Sequence, residues 1–234
     1  MSKLLKKEIE KALDERIKKM GFKKNKFNYF KQINDNVFYT LSFSFLTKYS
    51  DGNIEVDVIV GVLNKTIEDL KFKLTGLNNF DLMLPTISTQ IGYLMPDKNY
   101  KKWNFVEKKD NSDILNDLLN SIQIYGNEYF EKYMDINQIF NLIEKGGTGV
   151  LNHNRDRCLP ILYYLKGEKQ KGLEFIETAI ERQSTPVSDE ERTFLQKLAG
   201  KDGQVIIGTG VGKVDPEYIK FKENFKLLNQ PKAK

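Results

Sequence analysis

A chain of 234 residues with 29 % charged and 40 % hydrophobic residues can bury a substantial core, as one large domain or two small ones. No apolar run approaches the roughly 20 residues needed to span a bilayer, and the single cysteine, Cys158, excludes an internal disulfide and a cysteine metal cluster. The net charge of +5 is unevenly placed: residues 1–110 carry 20 Lys+Arg against 14 Asp+Glu, and the remainder carries 17 against 18.

That basic first half is compatible with an acidic protein surface or with nucleic acid, and equally with a solvated lysine face. Residues 1–8 lack the continuous apolar core of a secretory signal, so the expected location is the cytoplasm, without membrane contact. Leu5, Ile9, Leu13 and Ile17 recur every fourth residue among lysines and glutamates, which predicts an amphipathic helix stopped near Gly21. Phe27 to Ile33 reads as a short strand, followed by the turn Asn34-Asp35-Asn36.

The stretch Val37 to Leu63 organises the rest. Val37, Tyr39, Leu41, Phe43 and Phe45 occupy alternate positions, a turn signal spans residues 49–53, and Ile54, Val56, Val58, Val60 and Val62 resume the alternation. A period of two predicts an antiparallel hairpin with one buried and one wetter face. Asn64 to Leu74 reads as a helix, Thr86 to Leu94 as a further strand, and residues 96–110 as a polar loop. That loop holds Trp103 and Phe105 between Lys101-Lys102 and Lys108-Lys109.

Gly21-Phe22-Lys23-Lys24, Phe27-x-Tyr29, Val37-Phe38-Tyr39-Thr40-Leu41 and the strand Ile54 to Val62 together resemble the bacterial family catalogued as domain of unknown function 4304. The similarity covers roughly the first half of the chain. It implies an α+β fold and supplies no reaction, cofactor or catalytic residue; small families of this kind include suspected immunity proteins, which neutralise toxins by binding them.

The second half reads as helices. Ser112 is expected to cap one with inner face Leu115, Leu118, Leu119, Ile122 and Tyr125; Gly126 interrupts before Tyr129, Phe130 and Tyr133. Asp135 with Gln138 approximates a capping box, and Ser188-Asp189-Glu190-Glu191 forms a better one leading to Phe194, Leu195 and Leu198. Helices are expected from Cys158 to Leu165 and from Gln170 to Arg182. Their small residues Gly167, Gly172 and Ala179 have the offsets of one tetratricopeptide unit. With no second copy at the 34-residue period, an ordinary helical hairpin is the reading.

Three constellations invite a chemical reading. Ile207 to Val214 is glycine-rich, but three residues rather than four separate Gly208 from Gly212, and Val214 after Lys213 has no hydroxyl for magnesium. No nucleotide is expected there, and Asp215-Pro216 is expected to break any following helix. His153 and Cys158 stand five apart, on different faces of a helix, which argues against a thiolate–imidazole pair. Glu55 and Asp57 share a strand face but lack a third ligand, so neither metal nor cofactor is expected.

The sequence therefore predicts an α+β protein: an antiparallel meander covered by the N-terminal helix, followed by a helical C-terminal half. Domains of 1–110 and 111–234, or one continuous domain, fit it. A non-enzymatic protein-binding protein, in particular an immunity-type toxin inhibitor, is the leading function, with no catalytic residues. The alternatives are a nucleic-acid module stacking bases on Tyr29, Phe30 and Trp103, and an enzyme without an identified residue set. Trp103, His153, Arg155 and Arg157 are the candidate partner-contact residues, with Trp103, Arg155 and Arg157 expected to be partly exposed around a shared patch.

Overall fold

The computed structural model describes residues 2–46, 52–78, 80–146, 152–185 and 214–228. They form two compact units: Met1–Phe72 with Leu77–Arg155, and Lys73–Gly76 with Asp156–Lys234.

The first unit is α+β. Helix α1 (Ser2–Lys19) buries Leu5, Ile9, Leu13 and Ile17, as their four-residue spacing requires. It ends at Gly21, where the Phe22 amide bonds back to the Ile17 carbonyl. An antiparallel sheet of six strands comes next: β1 (Lys23–Asn25), β2 (Asn28–Gln32), β3 (Val37–Leu46), β4 (Asn53–Asn64), β5 (Ile87–Gln90) and β6 (Trp103–Val106). The first five are neighbours in chain order, and β6 pairs with β4 as well. β5 lies along Ile59–Val62 and β6 along Asn53–Val56 of β4. The β3–β4 hairpin is the centre, in register from Val37 opposite Asn64 to Leu46 opposite Glu55.

Three strands depart from expectation. β1, three residues long, precedes the strand expected from Phe27, and β6 lies in the segment read as a polar loop. Its alternate residues Trp103 and Phe105 point inward and are 3 % and 1 % exposed. The expected strand from Thr86 to Leu94 shortens to β5 and a 3-10 turn, Ile91–Tyr93.

On one sheet face Val56, Val58, Val60 and Val62 are fully buried, and α1 and α4 (Asn127–Tyr133) pack on β4. Tyr39 stacks on Phe130 of α4 with ring centroids 4.4 Å apart. The opposite face is not uniformly wet. Phe38, Leu63 and Met83 form a second, small core with Phe30 and Phe80. Pro85 crosses so closely over Gly61 that a Cβ there would stand 2.6 Å from the proline ring. Thr40, on this face, is consequently buried.

Helix α2 (Lys65–Thr75) holds that crossing segment in place. Glu68 accepts from the Thr86 hydroxyl at 2.8 Å and pairs with Lys71 at 2.7 Å, both side chains being at most 5 % exposed. Asn154 donates to the Thr86 carbonyl and accepts from Lys71. Helix α3 (Ser112–Ser121) is not capped by Ser112. Asn111 stands at the cap position, but its side chain bonds back to Val106 and Lys109 instead of to the helix, and Asp110 takes the Ser112 amide and hydroxyl. Gly126 does not interrupt the helical path, because a π turn, Ile122–Gly126, carries α3 into α4. Asp135 caps α5 (Ile136–Glu144) through the Asn137 amide.

The unit boundary falls within α6 (Asn152–Leu165), after Arg155. The second unit takes the rest of α6, α7 (Lys169–Ser184) and α8 (Pro216–Lys226). Pro160 supplies no amide to the Asp156 carbonyl, and the Tyr218 hydroxyl donates to that carbonyl instead, at 2.9 Å. Gly172 lets α7 approach the Pro160 carbonyl and the Phe225 ring, where a Cβ would fall within 3.1 Å of both. Pro216 does not break a helix. It opens α8 at the first position, with Asp215 accepting from the Glu217 amide. The capping box at residues 188–191, the glycine-rich segment 207–213 and the hairpin turn at 47–51 lie outside the described residues.

Candidate functional site

Beyond Leu41, β3 borders a cleft of about 300 Å³. α1 contributes Lys6, Glu10 and Leu13 to it, and β3 contributes Phe43 and Phe45. The β1–β2 hairpin adds Lys24, Lys26, Phe27 and Tyr29. Asn25 pairs with Asn28, so Lys26 and Phe27 alone make the turn, with Lys26 at φ 54°. Phe27 is thereby held in water, 88 % exposed.

The floor is apolar and fixed. Tyr29 is buried, meets Phe43 edge-on with centroids 5.7 Å apart, and donates its hydroxyl to Asp14 at 3.2 Å. Burial, with Asp14 beside it, pushes the Tyr29 hydroxyl well above the usual tyrosine range. The hydrogen bond from Lys18 holds the Asp14 carboxyl below its ordinary value. The rim is cationic: Lys6 lies 5.2 Å from the Phe45 ring centroid and Lys24 lies 5.4 Å from that of Tyr29.

The candidate contact residues lie elsewhere. Trp103 is buried rather than exposed, and its indole donates to Asp117 at 2.7 Å, because β6 turns it inward. The patch expected around it thus lacks its aromatic member. Arg155, in the first unit, donates to the carbonyls of Ile143 and Glu144 at the end of α5. Arg157, in the second, pairs with Asp215 at 3.2 Å and Glu217 at 3.4 Å. His153 belongs to α6, but its side chain is outside the described residues; Cys158 is buried.

Glu55 and Asp57 do share a face of β4, each with its own partner. Lys102 binds Glu55 at 2.8 Å, and the Tyr100 hydroxyl donates to Oδ2 of Asp57. Asp57 is 5 % exposed and its Oδ1 has no hydrogen-bond partner among the described residues. Those residues gather no three histidine, cysteine or carboxylate side chains around a common point. None of their helices is long and apolar enough to cross a membrane.

Phe27, expected at the start of a strand, stands in the turn between β1 and β2 instead. Its signal was the dipeptide Lys26-Phe27 between two asparagines, a two-residue turn without glycine. Compared with family models, with curated proteins and with solved structures, the chain matches none.

Proposed function

We propose that this is a non-enzymatic protein-binding protein of the cytoplasm, an immunity-type inhibitor that occludes its partner's surface through the lysine-rimmed aromatic cleft. The resemblance of its first half to the domain of unknown function 4304 family is part of the same proposal. The observation that carries it is Phe27, a large ring held in water beside the half-buried pair Phe43 and Phe45. Exposed apolar groups contiguous with a concave apolar floor are the usual substance of an interface, and aromatic side chains supply a disproportionate part of its energy.

A photo-crosslinking amino acid in place of Phe27 tests this in cells. We expect one protein to be joined at position 27 and not at an exposed control position, Asp35. The purified partner should then bind the wild type and lose about tenfold or more, over 1.4 kcal/mol, with Phe27→Ser. No adduct at position 27, or undiminished binding by Phe27→Ser, sinks the reading.

The nucleic-acid alternative loses two of its three stacking groups, Tyr29 and Trp103, to burial. At about 0.15 M salt no tight binding to random oligonucleotides is expected. Sub-micromolar binding that collapses as salt rises, and that disappears when Lys101, Lys102, Lys108 and Lys109 become alanine, would revive it.

A further inference from the structure

We infer that the segment received by the cleft is acidic and carries one apolar anchor side chain; this rests on the protein-binding reading of the same cleft. The anchor is dictated by the floor. Leu13, Phe43, Phe45 and the Tyr29 ring make an apolar base, and about 300 Å³ lies at the small end of ligand pockets, enough for one large side chain with its flanking backbone.

The charge is dictated by the rim, where Lys6, Lys24 and Lys26 stand against the one lining carboxylate, Glu10, while Asp14 beside Tyr29 is already held by Lys18. The Glu10 carboxylate lies 3.8 Å from Lys6 with both side chains 42 % exposed, a weak pair. Neither Lys24 nor Lys26 is in an ion pair among the described residues. An aromatic face engages one side of an ammonium group, leaving the other donors of Lys6 and Lys24 for acceptors at the rim. Carboxylates flanking the anchor meet those donors. The excess of 20 Lys+Arg over 14 Asp+Glu across residues 1–110 draws an acidic segment in from a distance.

Nucleic acid is also acidic, but the cleft suits it less. Its floor presents ring edges and aliphatic carbon to a side chain, Tyr29 is tied to Asp14, and no arginine lines the rim to grip phosphate in a fork.

Selection of a random peptide library on the full-length protein, followed by fluorescence polarisation of the enriched peptides, tests the inference. Enriched sequences should place Asp or Glu on both sides of one Phe, Leu, Ile or Met. Their affinity should fall about tenfold or more in Phe27→Ser and in the double variant Lys24→Ala, Lys26→Ala, and should weaken as salt rises. All three side chains are exposed, so the variants should melt as the wild type does. Neutral or basic peptides that need Phe27 but not the lysines would overturn the acidic class and leave the protein-binding reading standing. Two outcomes would overturn both: no Phe27-dependent peptide at all, or thymidine oligonucleotides that bind the cleft more tightly than any peptide at equal salt.

Discussion

Along β3, residues 37–41 are all buried, whereas none of residues 42–46 is. Through both halves apolar residues recur at alternate positions, Val37, Tyr39, Leu41, Phe43 and Phe45. The first half has α4 on one side, where Tyr39 stacks on Phe130, and the small core of Phe38, Leu63 and Met83 on the other. The second half faces α1 across the lysine-rimmed cleft, with Lys6 over the Phe45 ring. A period of two therefore declares which side chains share a face; it does not say whether anything covers that face. Coverage comes from segments far away in sequence, here Phe80 to Thr86.

The largest expected effect tests this division across a single strand pair. Phe43 and Val58 are opposite one another in the register, so their side chains share a face. Val58 is 0 % exposed, and Phe43 is half-buried. Val58→Asp should abolish folding, since an isolated buried charge costs several kcal/mol or more against a total stability of roughly 5–15 kcal/mol. Phe43→Asp should leave a folded protein weakened by about 1–2 kcal/mol, a part of the transfer energy of a buried phenylalanine. Urea denaturation of the two variants decides it, and equal behaviour would mean that Phe43 is as fully covered as Val58.

The second effect concerns the clasp that keeps the first half covered. Lys71→Met removes the ammonium group beside buried Glu68, the residue that holds Thr86. A loss of about 3–5 kcal/mol is expected for breaking a buried pair. Lys65→Ala, which breaks an exposed pair with Asp69, should cost less than about 1 kcal/mol. If both variants unfold at the same urea concentration, the clasp is not the device that positions the covering segment. A smaller cost, about 1–3 kcal/mol, is expected for Gly61→Ala, whose new methyl must displace Pro85 or Thr40. An unchanged midpoint would mean that Pro85 does not press on the sheet.

The long periodic elements were legible: the four-residue stripe of α1, the β3–β4 hairpin and the α2 spacing all come from repeats long enough to fix a face. β1 and β6, three and four residues long, give periodicity too little to work on. Trp103 was misplaced because flanking lysines outweighed the alternation of Trp103 with Phe105, which was the better signal. Asp215-Pro216 was misread for a related reason: proline forbids a helix interior but favours its first turn, and the capping aspartate before it distinguishes the two. The wetter face assigned to Thr40 failed because the residues that bury its neighbourhood are more than forty positions later. The cleft was hidden for the same reason, since it needs α1, the β1–β2 turn and β3 together.

The smallest expected effect probes the less covered half of the sheet, at Tyr100 and Asp57. Tyr100 is 49 % exposed, and its hydroxyl donates to the Asp57 carboxylate. That hydrogen bond, followed by burial, pushes the phenol up to about 12. A tyrosine in the unfolded chain titrates near about 10. Because the folded value is the higher one, the protonated phenol contributes stability that is fully present below about pH 10 and is lost as pH rises through about 12. The contribution should stay below about 1 kcal/mol, because solvent screens so exposed a pair. Absorbance titration at the phenolate band, taken as the difference between wild type and Tyr100→Phe, isolates this ring from the other tyrosines. Asp57→Asn should bring its midpoint back toward that of an ordinary tyrosine and flatten the alkaline loss of stability. A wild-type Tyr100 that already titrates like the Asp57→Asn protein would detach the phenol from the carboxylate, and Asp57 would then need another explanation for its burial on β4.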